Sequence, residues 1–158
     1  MSVIEVIKSP IVVYERGIYR PEPTRFWILD RRVRGAISAL EAEGWIKELS
    51  REISSDPHLF DFFVRLHEKE VRLRREILRR DFPEVFVGEG KWDLVCKRVL
   101  LSESVGIGGI RKFRAKPFKV RCLHLWTAYH LGDKEFENPI GEFVLSKISY
   151  LSNQSQKY

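Results

Sequence analysis

Asp56-Pro57 constrains this chain more than any other pair of residues. The acid caps a helix, and the proline supplies a first helical residue whose missing N–H would have gone unused there. From that start the pattern runs unbroken to about Arg80, and Phe82-Pro83 stops it. Leu59, Phe63, Leu66, Leu73 and Ile77 share one apolar stripe. Glu68/Arg72, Glu70/Arg74 and Glu76/Arg80 are spaced i, i+4 with the acid first, the favourable order. The arginine-rich remainder reads as a solvated face, with its cations near the negative end of the helix. So long an amphipathic helix needs a core to lie on, and 158 residues with 44% hydrophobic content supply one domain's worth.

Upstream, the β-branched runs 3–7 (VIEVI) and 11–15 (IVVYE) predict strands, as does 24–29 (TRFWIL). Arg16-Gly17 is a turn, and Pro21 and Pro23 stiffen the loop before the third strand. One small antiparallel sheet is the simplest assembly. Asp30 caps a helix over 31–43 with Val33, Ile37 and Leu40 on its buried face, and Gly44 ends it. A short helix over 45–54 follows. Downstream, Trp92, Val95, Cys96, Val99 and Leu100 predict an amphipathic helix over about 91–102, with Cys96 as a buried apolar residue. Pro117 is placed to open a helix running to Leu131, and Asn138-Pro139 a last one over 139–151. The expected architecture is α+β: a single domain over 1–151, with a small N-terminal antiparallel sheet packed by five to six helices, and a flexible tail over 152–158.

Charge is unevenly placed. Residues 1–90 carry sixteen basic and sixteen acidic groups, whereas 91–158 carry twelve and six, so the whole net charge of +6 lies in the second stretch. It concentrates in Gly106 to His130, which opens with Gly106, Gly108 and Gly109 and continues through Arg111, Lys112, Arg114, Lys116, Lys119 and Arg121 without one acid. A local excess of this kind points to a phosphate-bearing ligand, a nucleic acid or an anionic surface. Two cysteines are too few for a disulfide framework, the first residues lack a signal-peptide layout, and no apolar run has the length of a membrane span. Together they lead to the expectation of a cytoplasmic protein with no membrane partner. Sparse Asn, Gln and Met with 32% charged residues resemble a thermophile's composition.

GIGGI is neither a P-loop, since no Lys-Ser or Lys-Thr follows, nor a dinucleotide fingerprint, since its spacing differs and a helix precedes it. It reads as a turn, or as a nest of N–H groups around an anion. In the expected 117–131 helix, Cys122 and His124 point about 200° apart, so one ion could not take both, and no metal site is expected. No cofactor motif is present either. A nucleophilic pair of Cys122 with His124 or His130 remains open, but the sequence offers no third, orienting group.

A sharper signal is electrostatic. A helix N-terminus behaves as about half a positive charge, so cations there are unfavourable. Yet Arg114, Lys116 and Lys119 crowd the start of the 117–131 helix, and Arg31, Arg32 and Arg34 the start of the 31–43 helix. The expectation is an anion at one or both ends. The candidate anion-binding residues are Gly108, Gly109, Arg111, Arg114, Lys116, Lys119 and Arg121, joined by Arg31, Arg32 and Arg34.

The segments PTRFWILDRRVRGAISALEAEGW, GIGGI and KVRCLHLWTAYHLGDKEFENPIG resemble a bacterial family of unknown function, domain of unknown function 501. The resemblance rests on Ser38 through Gly44, Gly108-Gly109, Arg121 through Ala128, and Asn138 through Gly141, and it covers most of the chain. It implies further cysteines at the strand–helix junction, where this chain has Asp30, and it implies an architecture without a mechanism. Three functions stay open: an anion-binding module, which leads; an enzyme using Cys122 with His124 or His130; and an assembly factor that meets a protein partner or a second copy of itself.

Overall fold

Arg16 and Gly17 both adopt left-handed backbone angles, φ 50° and 84°. Two such residues in a row reverse a chain with the twist that antiparallel strands require. They join β2 (Val12–Glu15) to β3 (Ile18–Pro21) as a hairpin, so the stretch expected to be a stiff loop contains a strand. Pro21 ends that strand, the place where a missing N–H costs least. The outer strands, β1 (Val6–Lys8) and β4 (Phe26–Ile28), pair with each other instead. The expected single sheet is thus two antiparallel pairs, β1–β4 and β2–β3. The computed structural model of the chain describes residues 3–87, 92 and 94–155.

The chain folds as two compact units, and the hairpin and the outer pair fall in different ones. The first unit holds residues 1–8, 26–56 and 117–158. The second holds 9–25 and 57–116.

In the first unit, α1 (Arg31–Ala42) starts at the expected residue. The Asp30 carboxylate accepts from the N–H groups of Arg32 and Val33, and Val33, Ile37 and Leu40 are buried. Gly44, at φ 94°, turns the chain into α2 (Trp45–Ser55). The next segment departs from the helix expected over 117–131. Pro117 does not open a helix; α5 spans Leu123–Gly132, and 118–122 belong to no helix. Phe118 and Val120 are buried while Lys119 and Arg121 are exposed, a period of two rather than 3.6. The segment lies along α2, with Phe118 N–H donating to Ser54 Oγ at 2.8 Å and Val120 N–H to Ser50 Oγ at 3.4 Å. Those side-chain bonds satisfy donors that a helix would have used internally. Asn138 caps α6 (Pro139–Ser155) by accepting from Gly141 N–H, as its position before proline predicts. α6 runs past the expected end at 151, and residues 156–158 lie outside the described residues. Trp126, Tyr129, Phe136, Ile140 and Val144 form the centre of this unit's core with Ile37 and Leu40.

In the second unit, α3 (Pro57–Asp81) matches the predicted long helix at both ends. Its buried face is rotated from the expected one, however. It carries Phe63, Leu66, Val71 and Leu78, but also His67, Glu70 and Arg74. Glu70 and Arg74 both reach partners outside α3. Glu70 accepts from Arg25 Nε at 2.8 Å, and Arg74 donates to the carbonyls of Leu100, Ser102 and Val105. Arg80 pairs with Asp81. A one-turn 3-10 helix, Pro83–Phe86, leads toward α4 (Leu94–Leu100). Cys96 is buried there beside Ile11, Val12, Leu78, Val85, Trp92 and Leu100, as the pattern predicted. The side chain of Val95 and the backbone of residues 91 and 93, parts of the expected 91–102 helix, lie outside the described residues. Tyr19 of the hairpin stacks on Trp92 at 4.2 Å between centroids.

Candidate functional site

An anion held at a helix start needs bare N–H groups there, and both helix starts are occupied by the chain's own carboxylates. Asp30 answers α1. At α5 the helix starts too late for Arg114, Lys116 or Lys119 to crowd it, and Leu123 N–H donates to Glu41 Oε2 at 2.9 Å. Glu41, from the last turn of α1, is therefore the anion at that positive end.

The glycine nest expected around an anion also takes a different form. Gly108 and Gly109 are left-handed, φ 63° and 81°, in a tight turn. Four of its N–H groups are spent internally: Gly106 on Ile110 O, Gly109 on Gly106 O, Ile110 on Ile107 O, and Ile107 on His67 Nδ1 at 3.0 Å. Ile107 and Ile110 are buried, which makes the turn a core anchor. Gly106 lies so close to the His67 ring that a Cβ there would overlap it. Of the cations in this second unit, Arg114 donates to Glu103 O and lies over the Phe113 ring, while Lys116 lies over Phe60. Arg111 is exposed. Arg31, Arg32, Arg34, Lys119 and Arg121 are exposed on the first unit.

What the first unit does bring together is Glu41, Cys122 and His124, whose ligand atoms all lie within 4.8 Å of one another. The 200° separation expected for Cys122 and His124 presumed a shared helix. Cys122 is instead the extended residue before α5, at φ −154° and ψ 129°. That change of backbone swings Sγ to 3.6 Å from His124 Nδ1. Arg121 makes the swing: it sits at φ 65°, and Cys122 N–H closes back on Val120 O at 2.7 Å. A hydrogen bond over one left-handed residue is the rarer, strained form of γ-turn, here held in place because Val120 O also accepts from the Trp126 indole.

His124 is oriented from its far side. Nε2 lies 3.0 Å from the Arg34 carbonyl, which only accepts, so Nε2 carries the proton. Ser38 Oγ is 3.4 Å from the same nitrogen. In the neutral ring, Nδ1 then presents a lone pair, and it faces Glu41 Oε1 at 3.4 Å as well as the sulfur. Three electron-rich atoms meet at one place, and a single thiol proton can bridge only some of the contacts. Burial, and with it the negative charge of Glu41, pushes the Cys122 thiol above its ordinary range, although N–H groups of Leu125 and His124 pull the other way. That direction disfavours Cys122 as an unassisted nucleophile. His130 is not its partner: His130 Nδ1 accepts from Asn138 N–H at 2.9 Å, and its ring packs against Gly141.

The third group that the sequence did not reveal is Glu41. It stands 81 residues before Cys122 in the chain, so no local motif links them. A usable signal was the alternation Phe118, Lys119, Val120, Arg121, which marks extended chain and removes the helical-wheel objection.

Fold and site together define a small α+β protein with a Glu–Cys–His donor cluster at the junction of α1 and α5. The chain belongs to the family described as protein of unknown function (DUF501), whose model matches residues 2–146. No curated protein and no solved structure matches it. Among the described residues, no helix is long and apolar enough to cross a membrane.

Proposed function

We propose that the chain is a metal-binding protein that holds one divalent transition ion of the zinc class on Glu41, Cys122 and His124. The observation that carries this is the pair of separations. Bonds of about 2.3 Å to sulfur and about 2.0–2.1 Å to nitrogen and oxygen, opened at a tetrahedral angle, set S···N about 3.6 Å and N···O about 3.3 Å apart. The corresponding distances here are 3.6 Å and 3.4 Å. The outer shell supports the same reading. Imidazole ligands of metals donate their other N–H to a carbonyl or carboxylate, and ligating carboxylates are themselves hydrogen-bonded. His124 has the Arg34 carbonyl, and Glu41 has Leu123 N–H.

Three protein ligands leave a fourth position for water or substrate, the arrangement of catalytic rather than structural zinc. The enzyme reading therefore changes form: Cys122 and His124 act as ligands, and the ion supplies the chemistry. Calorimetric titration of the chelator-stripped chain with zinc tests it. One ion should bind per chain, and Cys122→Ser and His124→Ala should each weaken it by at least about tenfold. Unchanged affinity in either variant would refute the assignment.

A further inference from the structure

We infer that the fourth position of the loaded site takes a tetrahedral dianion of the phosphate class, held by Arg34 with Arg31 and Arg121; the inference rests on the metal reading above. A divalent ion, a thiolate and a carboxylate sum to zero charge. The cations around them are then uncompensated. Arg31, Arg34, Ser38 and Glu41 fall within about 80° of one another around α1, on one stripe. That stripe faces the start of α5, since His124 touches both the Arg34 carbonyl and Ser38 Oγ. Arg121 immediately precedes the ligand Cys122, and all three arginines are exposed. Asp30, the acid at that helix start, accepts from the N–H groups of Arg32 and Val33, and its single charge offsets one of the three.

The two positive charges left over suit a dianion better than a monoanion, and the planar fork of arginine matches phosphate oxygens in pairs. Partial exposure leaves a way in: the His124 and Glu41 side chains are 28% and 22% accessible. The basic residues expected from the sequence to meet an anion thus separate. Arg31, Arg34 and Arg121 belong to this site, and the glycine turn does not.

The test uses the cobalt(II)-loaded chain, titrated with inorganic phosphate and, separately, with acetate. Phosphate is expected to shift the visible cobalt bands saturably, and acetate at least about tenfold more weakly. Arg34→Ala should leave the phosphate-free cobalt spectrum intact while weakening phosphate at least about tenfold, the loss expected for one charge-assisted contact. Cobalt bands indifferent to phosphate, acetate binding as tightly as phosphate, or full phosphate affinity in Arg34→Ala would each overturn the inference and leave the metal reading standing. A chain that takes up no cobalt would overturn both.

Discussion

Each unit of this protein gathers ionisable side chains, and the two do it in opposite ways. In the second unit, Arg25 and Glu70 pair at 2.8 Å with both side chains 2% accessible, Arg74 serves three carbonyls, and His67 accepts from Ile107 N–H. Every one of these bonds ends on another part of the same fold. In the first unit, Glu41, Cys122 and His124 are only partly buried, and their electron pairs converge on one another. A buried ionisable group is costly until it is paired, and a paired one is structural. Three potential ligand atoms that converge where solvent has access form the arrangement a metal ion would use.

The strongest consequences of this contrast lie in the second unit. Glu70→Ala should lower unfolding free energy by about 3–5 kcal/mol in urea titrations, because it strands Arg25 in the interior. Replacing both partners, Arg25→Met with Glu70→Leu, should cost much less than the single change. Equal losses would mean that the pair itself, and not the stranded charge, sets the energy. The acid branch of the stability curve comes next. Burial, aided by the charge of Arg114, lowers the His67 pKa to about 3 from 6.5. The folded state therefore holds His67 neutral. Its contribution is complete above pH 6.5 and is lost toward pH 3, at about 1.4 kcal/mol per pH unit. His67→Asn, which keeps an acceptor near Ile107 N–H, should flatten that slope by the same amount. A third change, Gly106→Ala, should cost about 1–3 kcal/mol through overlap with the His67 ring.

Smaller changes are expected in the first unit, and they separate site from scaffold. In the metal-free chain, Glu41→Gln and Cys122→Ser should each alter stability by no more than about 1 kcal/mol. Zinc at a hundredfold excess over the parent's Kd should add about 2.7 kcal/mol to the parent chain and no more than about 1.4 kcal/mol to either variant. A thermal-shift series with and without zinc reads this directly.

Much of the scaffold was legible in the sequence because its signals are local. Asp56-Pro57 and Phe82-Pro83 bound α3, Asp30 starts α1, and Asn138-Pro139 starts α6. The helix expected from Pro117 and the separation expected for Cys122 and His124 failed for a common reason. Pro117 permits a helix without requiring one, and the serines of α2 that take the N–H groups of Phe118 and Val120 lie more than sixty residues away in the chain. Separation in the chain likewise hid Glu41 from Cys122 and, over 45 residues, Arg25 from Glu70. Charge patterning on α3 suggested local pairs, but tertiary partners took Glu70 and Arg74. Of the two helix starts expected to be crowded by cations, α1 is capped by Asp30, as the sequence already suggested, while α5 starts later than expected and Glu41 accepts from its first N–H, a partner that only the folded chain reveals.

Anaerobic titration of the chelator-stripped chain with cobalt(II), read by absorption, puts the metal assignment at greatest risk. One ion per chain is expected, with visible bands of a four-coordinate ion and a thiolate-to-metal charge-transfer band that vanishes in Cys122→Ser. Cobalt uptake without that band, or identical spectra from the parent and the Cys122→Ser chain, would refute it.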